Sequence, residues 1–276
     1  MNNVSGVRLL RLDPGISEKN ERVRNFLKAM CFANPEWIPT SVSFLPATWQ
    51  RHGERLAKVL EAHPDLFPGY KPSGCYTPSL PRRMQKGRWR DAWGTLWDNV
   101  AEGLDSIPVE EGAPLRDWAA FEDYQAPEAL ATDDWGEPID WKAMREHFAR
   151  VKEQGGLAVG AIAHGFMYMR LFYLRGFTNL MIDIGTRDPR LDRLIDMVAS
   201  RNERLVKELL AAGAEMISGG DDLGMQTSLP MRPDDWRRYI KPAYARIFAD
   251  CREGGVPVYL HSDGHIFEII PDLVDC

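Results

Sequence analysis

The chain has 276 residues, 44% hydrophobic and 27% charged, a balance that gives one large core and excludes a disordered or low-complexity protein. The net charge of −6, with no basic stripe, argues against a nucleic-acid partner. No apolar run reaches the roughly 20 residues a bilayer span needs, and the start, Met1 to Arg8, lacks a charged-then-apolar leader. The expected location is therefore the cytoplasm, with no membrane partner. Cys31, Cys75, Cys251 and Cys276 show no metal or redox spacing and read as reduced thiols.

In chain order, residues 1–35 read as a loose extension plus a helix from Glu21 to Ala33, with Val23, Phe26, Leu27 and Met30 at helical spacing. A single domain, 36–276, follows. Trp37 to Phe44 is β-rich and reads as the first strand. Gln50 to Glu61 reads as a helix, and 66–70 as a second strand. Residues 63–112 are rich in Pro, Gly, Trp and Arg without a sustained period, as expected of a lid or insertion. Within it Trp89, Trp93 and Trp97 have i, i+4, i+8 spacing, which predicts one helical face. That face is either core packing or an aromatic wall for a substrate, with Trp93 the candidate contact.

After a helix from Trp141 to Gln154 a regular beat begins. Leu157 to Ala163 reads as a strand, Met167 to Arg175 as a helix, and Pro189 to Ala212 as a long amphipathic helix. Glu215 to Ser218 is a short strand opening onto Gly219-Gly220-Asp221-Asp222. Pro233 to Gly254 reads as one helix kinked at Pro242. Val256 to His261 is a buried parallel strand, apolar on both faces, and Ile266 to Val274 a last helix. The alternation is βα repetition and predicts an α/β fold.

The polar groups gather where these strands end. His261, Asp263 and His265 offer imidazole nitrogen and carboxylate oxygen, donors suited to zinc. His261 and Asp263 are the stronger pair, and His265 fits better as the start of the next helix. Asp221 and Asp222 are candidate catalytic carboxylates. Neighbours on a strand point to opposite faces, so one of them should face a pocket and the other cap a turn. His164, after the third strand, is a candidate substrate contact, as is Gln226. Arg170 and Arg175 read as solvated or paired with acids.

Two segments carry a family likeness: Gly213-Ala-Glu-Met-Ile-Ser-Gly-Gly-Asp-Asp-Leu-Gly-Met-Gln226, and His261-Ser-Asp-Gly-His-Ile-Phe-Glu-Ile-Ile-Pro-Asp-Leu273. Together, with support from Leu174 to Asp183 and Asp91 to Trp97, they resemble the uroporphyrinogen decarboxylase-like superfamily. The resemblance covers about residues 36–275. It implies a (β/α)8 TIM barrel, and the chain would then be C-terminally truncated after about five strands. It also implies one of two enzyme types. Decarboxylases of the superfamily carry substrate-binding arginines after the first strand, where this chain has the arginine-free Thr40 to Ala47. Arg82, Arg83, Arg88 and Arg90 are the alternative clamps, and the decarboxylase tyrosine falls at Phe172 or Tyr173. Zinc-dependent methyltransferases use His-x-Cys-Gly, to which His261 and Asp263-Gly264 correspond with Asp in place of Cys.

The resemblance thus implies a zinc-dependent methyltransferase. It would move a methyl group from a small donor to a corrinoid on a partner protein, with His261 and Asp263 as metal ligands and a third ligand beyond Cys276. The rival readings are a uroporphyrinogen decarboxylase and a degenerate barrel that only binds a ligand.

Overall fold

The computed structural model describes residues 14–67, 69–72, 74 and 79–276. Cys75 lies outside them. Helix α1 (Glu21–Met30) is capped by Asn20, whose side chain accepts from the Val23 N–H at 3.0 Å. The predicted strand at 37–44 does not form. Asn25 instead binds this stretch, accepting the Glu36 N–H (2.6 Å) and donating to the Trp37 carbonyl (2.8 Å). Pro39 could give a ladder no donor in any case. The stretch 66–70 is likewise turn rather than strand in its described residues. Helix α2 (Pro46–Ala62) begins on a proline and breaks at Gly53.

The 63–112 segment contains regular structure that its composition hid. Strands β1 (Gly87–Arg90), β2 (Leu96–Asn99) and β3 (Ile107–Pro108) form a three-stranded antiparallel sheet. Trp89 and Trp97 are therefore cross-strand partners, not turns of one helix, with ring centroids 6.2 Å apart. Trp93 sits in the connecting turn. Asp91 sets that turn by accepting the backbone N–H of Trp93 (3.0 Å) and Thr95 (2.9 Å) and the indole N–H of Trp97 (3.0 Å).

The C-terminal half keeps the predicted alternation. It runs α3 (Trp141–Glu153), β4 (Val159–His164), α4 (Tyr168–Arg175), α5 (Phe177–Thr186), α6 (Pro189–Ala211) and β5 (Met216–Gly220). Then follow α7 (Pro233–Tyr239), α8 (Lys241–Ile247), α9 (Ala249–Gly254), β6 (Val258–His261) and α10 (Ile270–Asp275). The single kinked helix expected over 233–254 is three short ones. Pro242 cannot donate into the preceding turn, so α8 restarts with the proline in its first turn.

Strands β4, β5 and β6 form a parallel sheet in sequential order. Gly160, Ile217 and Val258 are in register on one face, and Ala161, Ser218 and Tyr259 on the other. The first face packs on α6 and α8, where Ile162, Ile217, Val206, Leu209, Tyr244 and Ile247 are buried in one core. The other face is open at Val159, Ala161 and Tyr259. Strand β6 is thus covered on one side only, not on both as its apolar run suggested. The described residues hold three parallel strands rather than about five, in an α/β fold with α6 packed against one face of the sheet. None of their helices is long and apolar enough to cross a membrane.

A buried charge network ties the antiparallel sheet to this core. The Arg170 guanidinium, fully buried on α4, pairs with Asp91 (2.8 Å) and Asp134 (3.1 Å), and Arg201 on α6 pairs with Asp134 at 2.5 Å. Both guanidiniums lie 5.0 Å from the Trp93 ring. Arg175 is also buried and pairs with Asp183 at 2.7 Å.

Candidate functional site

The register of the parallel sheet assembles the site. His164 ends β4 and His261 ends β6, and both pair with Gly220 at the end of β5. The two imidazoles therefore stand on the open face, either side of a residue with no side chain, with ring centroids 5.6 Å apart. A Cβ at Gly220 would lie 2.3 Å from His164 Cδ2, so only glycine leaves room for that imidazole.

Two residues further, Asp222 reaches between the rings. Its Oδ1 is 3.3 Å from His164 Nε2 and 3.7 Å from His261 Nε2. The same oxygen accepts the Asp263 N–H at 3.0 Å, while the Asp222 N–H donates to Met169 Sδ at 3.1 Å. One donor atom each from His164, Asp222 and His261 lies within 4.8 Å of the others. Asp263 approaches His261 Nε2 to 3.5 Å, with its side chain 79% exposed.

Asp221 points the other way. It is fully buried and accepts the Tyr168 N–H (2.6 Å), the Met169 N–H (2.8 Å) and the Tyr244 hydroxyl (2.7 Å). It anchors the N-terminus of α4, where a carboxylate meets orphan amides and the positive end of the helix dipole. Burial is the main influence on its carboxyl, pushing the pKa up to about 6. Burial likewise raises the Tyr244 phenol well above its ordinary value.

The loops that carry the acids brace one another. Leu223 N–H donates to Ser262 Oγ (3.0 Å), Gly224 N–H to the Asp263 carbonyl (3.2 Å) and His265 N–H to the Met225 carbonyl (2.8 Å). Gly264 has φ +85°, and a Cβ there would meet Gly224 C at 2.4 Å, so the two backbones touch through two glycines.

Of the residues singled out from sequence, His164, Asp222, His261 and Asp263 come together. Gln226 is exposed on the loop after β5, and His265 leans on Phe267 with ring centroids 5.4 Å apart. Trp93 lies in the buried network, 1% exposed, and so lines no open pocket at the strand ends. Sequence reading paired His261 with Asp263 as ligands, gave one of Asp221 and Asp222 a catalytic role or a substrate or metal contact, and placed His164 against substrate. The missed signal was positional: three successive parallel strands each end on an imidazole or a carboxylate. The Met169 and Tyr244 contacts had no sequence signal. Two clefts, about 510 and 590 Å³, open beside Arg193 and Arg190 and share no residue with this group.

The arrangement offers two imidazole nitrogens and a carboxylate oxygen on a half-exposed ledge. That is the donor set and the spacing of an open zinc site, which takes three protein ligands and leaves a fourth position free. The residues present therefore fit such a metal.

Among solved structures, a methyltransferase from Methanosarcina mazei superposes with a TM-score of 0.53 at 15% identity. The match covers 92% of this chain and 73% of that one, and at such identity it speaks to the fold alone. No curated protein matches the chain. The model of the uroporphyrinogen decarboxylase (URO-D) family matches residues 109–276, the stretch that holds all three strand ends and the whole His164–Asp222–His261 group, and the chain belongs to that family.

Proposed function

We propose that the chain acts in methyl transfer, moving a methyl group from a small methylated donor to a corrinoid carried by a separate protein. In this reading β4, β5 and β6 are part of a (β/α)8 barrel, whose chemistry sits at the C-terminal ends of its strands. The observation that carries it is the convergence of His164, Asp222 and His261 at three neighbouring strand ends. The likeness to a methyltransferase fold supports it.

Zinc bound here would supply a Lewis acid for the donor's heteroatom. The residues do the rest. His261 and His164 present nitrogens from rigid strand ends, and the Asp263 N–H fixes the Asp222 carboxylate. With carboxylate where the superfamily's methyltransferases place a thiolate, the ligand set is harder and suits an oxygen-linked methyl group better than a thioether. Asp222 and Asp263 border the place where a departing alkoxide would take its proton.

Uroporphyrinogen decarboxylation, the activity that names the family, is the less supported reading. A tetrapyrrole bearing many carboxylates needs free cationic clamps. Of the four candidate clamps, Arg83 is paired with Asp105 and Arg88 with Asp98, Arg90 donates to the carbonyls of Gly94 and Gly112, and Arg82 donates to the Arg88 carbonyl.

The test is methylcobalamin formation from reduced cobalamin with methanol, an aryl methyl ether or a methylated thiol as donor. Transfer from an oxygen-linked donor, lost in His261→Ala, is expected. No transfer from any donor by zinc-loaded protein, together with turnover of uroporphyrinogen, would overturn the reading.

A further inference from the structure

We infer that the metal ligands of this chain are His164, Asp222 and His261, one from each parallel strand end, with Asp263 as a detachable fourth donor and no thiolate. The inference takes from the proposed function only that the strand ends are the reacting centre. It differs from the ligand pair that the resemblance implies, because it makes Asp263 peripheral and completes the set within three consecutive βα units.

The geometry argues for it in three steps. First, donors around a tetrahedral zinc stand about 3.3–3.5 Å apart, from bond lengths near 2.0–2.2 Å. Asp222 Oδ1 stands 3.3 Å from one imidazole nitrogen and 3.7 Å from the other, so the carboxylate already bridges the two rings at nearly that spacing. Second, the frame is fixed before any metal arrives. Gly220 makes space for His164, Met169 Sδ holds the Asp222 amide, and the Gly224–Gly264 contact locks the two loops. Third, the Asp263 carboxylate stands 3.5 Å from His261 Nε2 with its side chain largely in water, which suits a donor that yields its place to a substrate.

The thiols of the described residues sit on helices or helix ends rather than at the strand ends, Cys31 at the C-terminal end of α1. Cys251 is buried in the helical core, and Cys276 Sγ contacts the Asp272 and Lys241 carbonyls. Two imidazoles and one or two carboxylates form a borderline-to-hard set, which takes Zn²⁺ or Co²⁺ and holds soft cations poorly.

The test is titration of the metal-free full chain with Zn²⁺ by calorimetry, and with Co²⁺ by absorption. One equivalent of zinc should bind, and the cobalt form should show ligand-field bands without sulfur-to-cobalt charge transfer. Losing an outer partner of a metal site costs about 10–100-fold in affinity. His164→Ala and Asp222→Asn should each cost more than about 100-fold, and Asp263→Asn about 10-fold or less. Gly220→Ala keeps every donor but displaces the His164 ring, and should fall between, with a native circular-dichroism spectrum as the folding control.

Wild-type chain that binds no zinc, or His164→Ala that binds it unchanged, would overturn the assignment. A sulfur charge-transfer band would do so too. The two readings fail separately. Zinc bound through His164 without any methyl transfer would remove the proposed function and leave the ligand set, and methyl transfer with full zinc affinity in His164→Ala would do the reverse.

Discussion

Helix α4 touches two clusters of ionisable side chains that differ in almost every physical respect. Arg170 reaches into one, where two arginines and two aspartates close around Trp93 with every charge paired and no side chain more than 3% exposed. The next residue back, Met169, touches the other, where His164, Asp222 and His261 stand on a ledge with side chains 27–50% exposed and no lysine or arginine among them. The first cluster has opposite charges in balance, each guanidinium held against an aspartate of the protein. The second has acceptors in excess, all aimed at one small volume. Charge balance and access, more than residue type, separate a cluster that joins two parts of a fold from one that waits for a ligand.

The largest effect that would test this contrast is on the closed cluster. Arg170→Met leaves Asp91 and Asp134 buried with a partner removed, and breaking a buried pair on one side costs about 3–5 kcal/mol. Urea denaturation should show a loss of that size with zinc affinity of the residual folded protein unchanged. A change below about 1 kcal/mol would mean that the network is far less coupled to the fold than its burial implies.

That contrast was only half legible in the sequence. The βα beat from residue 157 onward could be read because parallel strands and amphipathic helices leave distinct periods. At 87–99 Trp89, Trp93 and Trp97 satisfy a helical spacing by coincidence, and the segment folds as a hairpin. Asp91 and Gly94 (φ +80°) fix the turn that places Trp89 opposite Trp97. Strands at 37–44 and 66–70 were expected from composition alone, and a side chain of α1 and local turn bonds hold those stretches instead. At the site, the residue types were readable and their grouping was not. Which strand ends meet depends on strand order and register, and neither is written in local pattern. Asp221 and Asp222 show the limit well: alternation says that they part, but only the fold says which one goes to the helix and which to the ledge.

Asp221 lies between the two regimes, buried like the first cluster and adjacent in sequence to the second. Asp221→Ala strands the Tyr168 and Met169 amides and the Tyr244 hydroxyl, and charge-assisted bonds of this kind are worth about 1.5–3 kcal/mol. A loss of about 2–3 kcal/mol is expected. Asp221→Asn keeps an acceptor for the amides and carries no buried charge, so it should recover most of that loss. Equal destabilisation by both variants in thermal melts would show that the charge itself holds α4.

A smaller effect belongs to the frame of the site. Gly264→Ala adds a Cβ at φ +85°, pressed against Gly224, and backbone strain of this sort costs about 1–3 kcal/mol. The variant should lose about 1–2 kcal/mol and bind zinc more weakly, although no ligand has changed. Stability lost with zinc affinity intact would separate the loop contact from the ligand geometry.

The smallest effect on folding should fall on the residue that matters most to the ledge. The His164 side chain is 44% exposed, and its contacts are Asp222 Oδ1 and the neighbouring His261 ring. Exposed substitutions away from caps and cores stay within about 0.5 kcal/mol, so His164→Gln should melt like the wild type without metal. Zinc then divides the two proteins. A ligand that binds only the folded state adds about 2.7 kcal/mol at a hundredfold excess over its dissociation constant. The wild-type melting temperature should therefore rise on adding zinc, while that of His164→Gln stays in place at the same concentration. If both rise equally, His164 is a bystander, and the ledge owes its metal to His261 and the two aspartates alone.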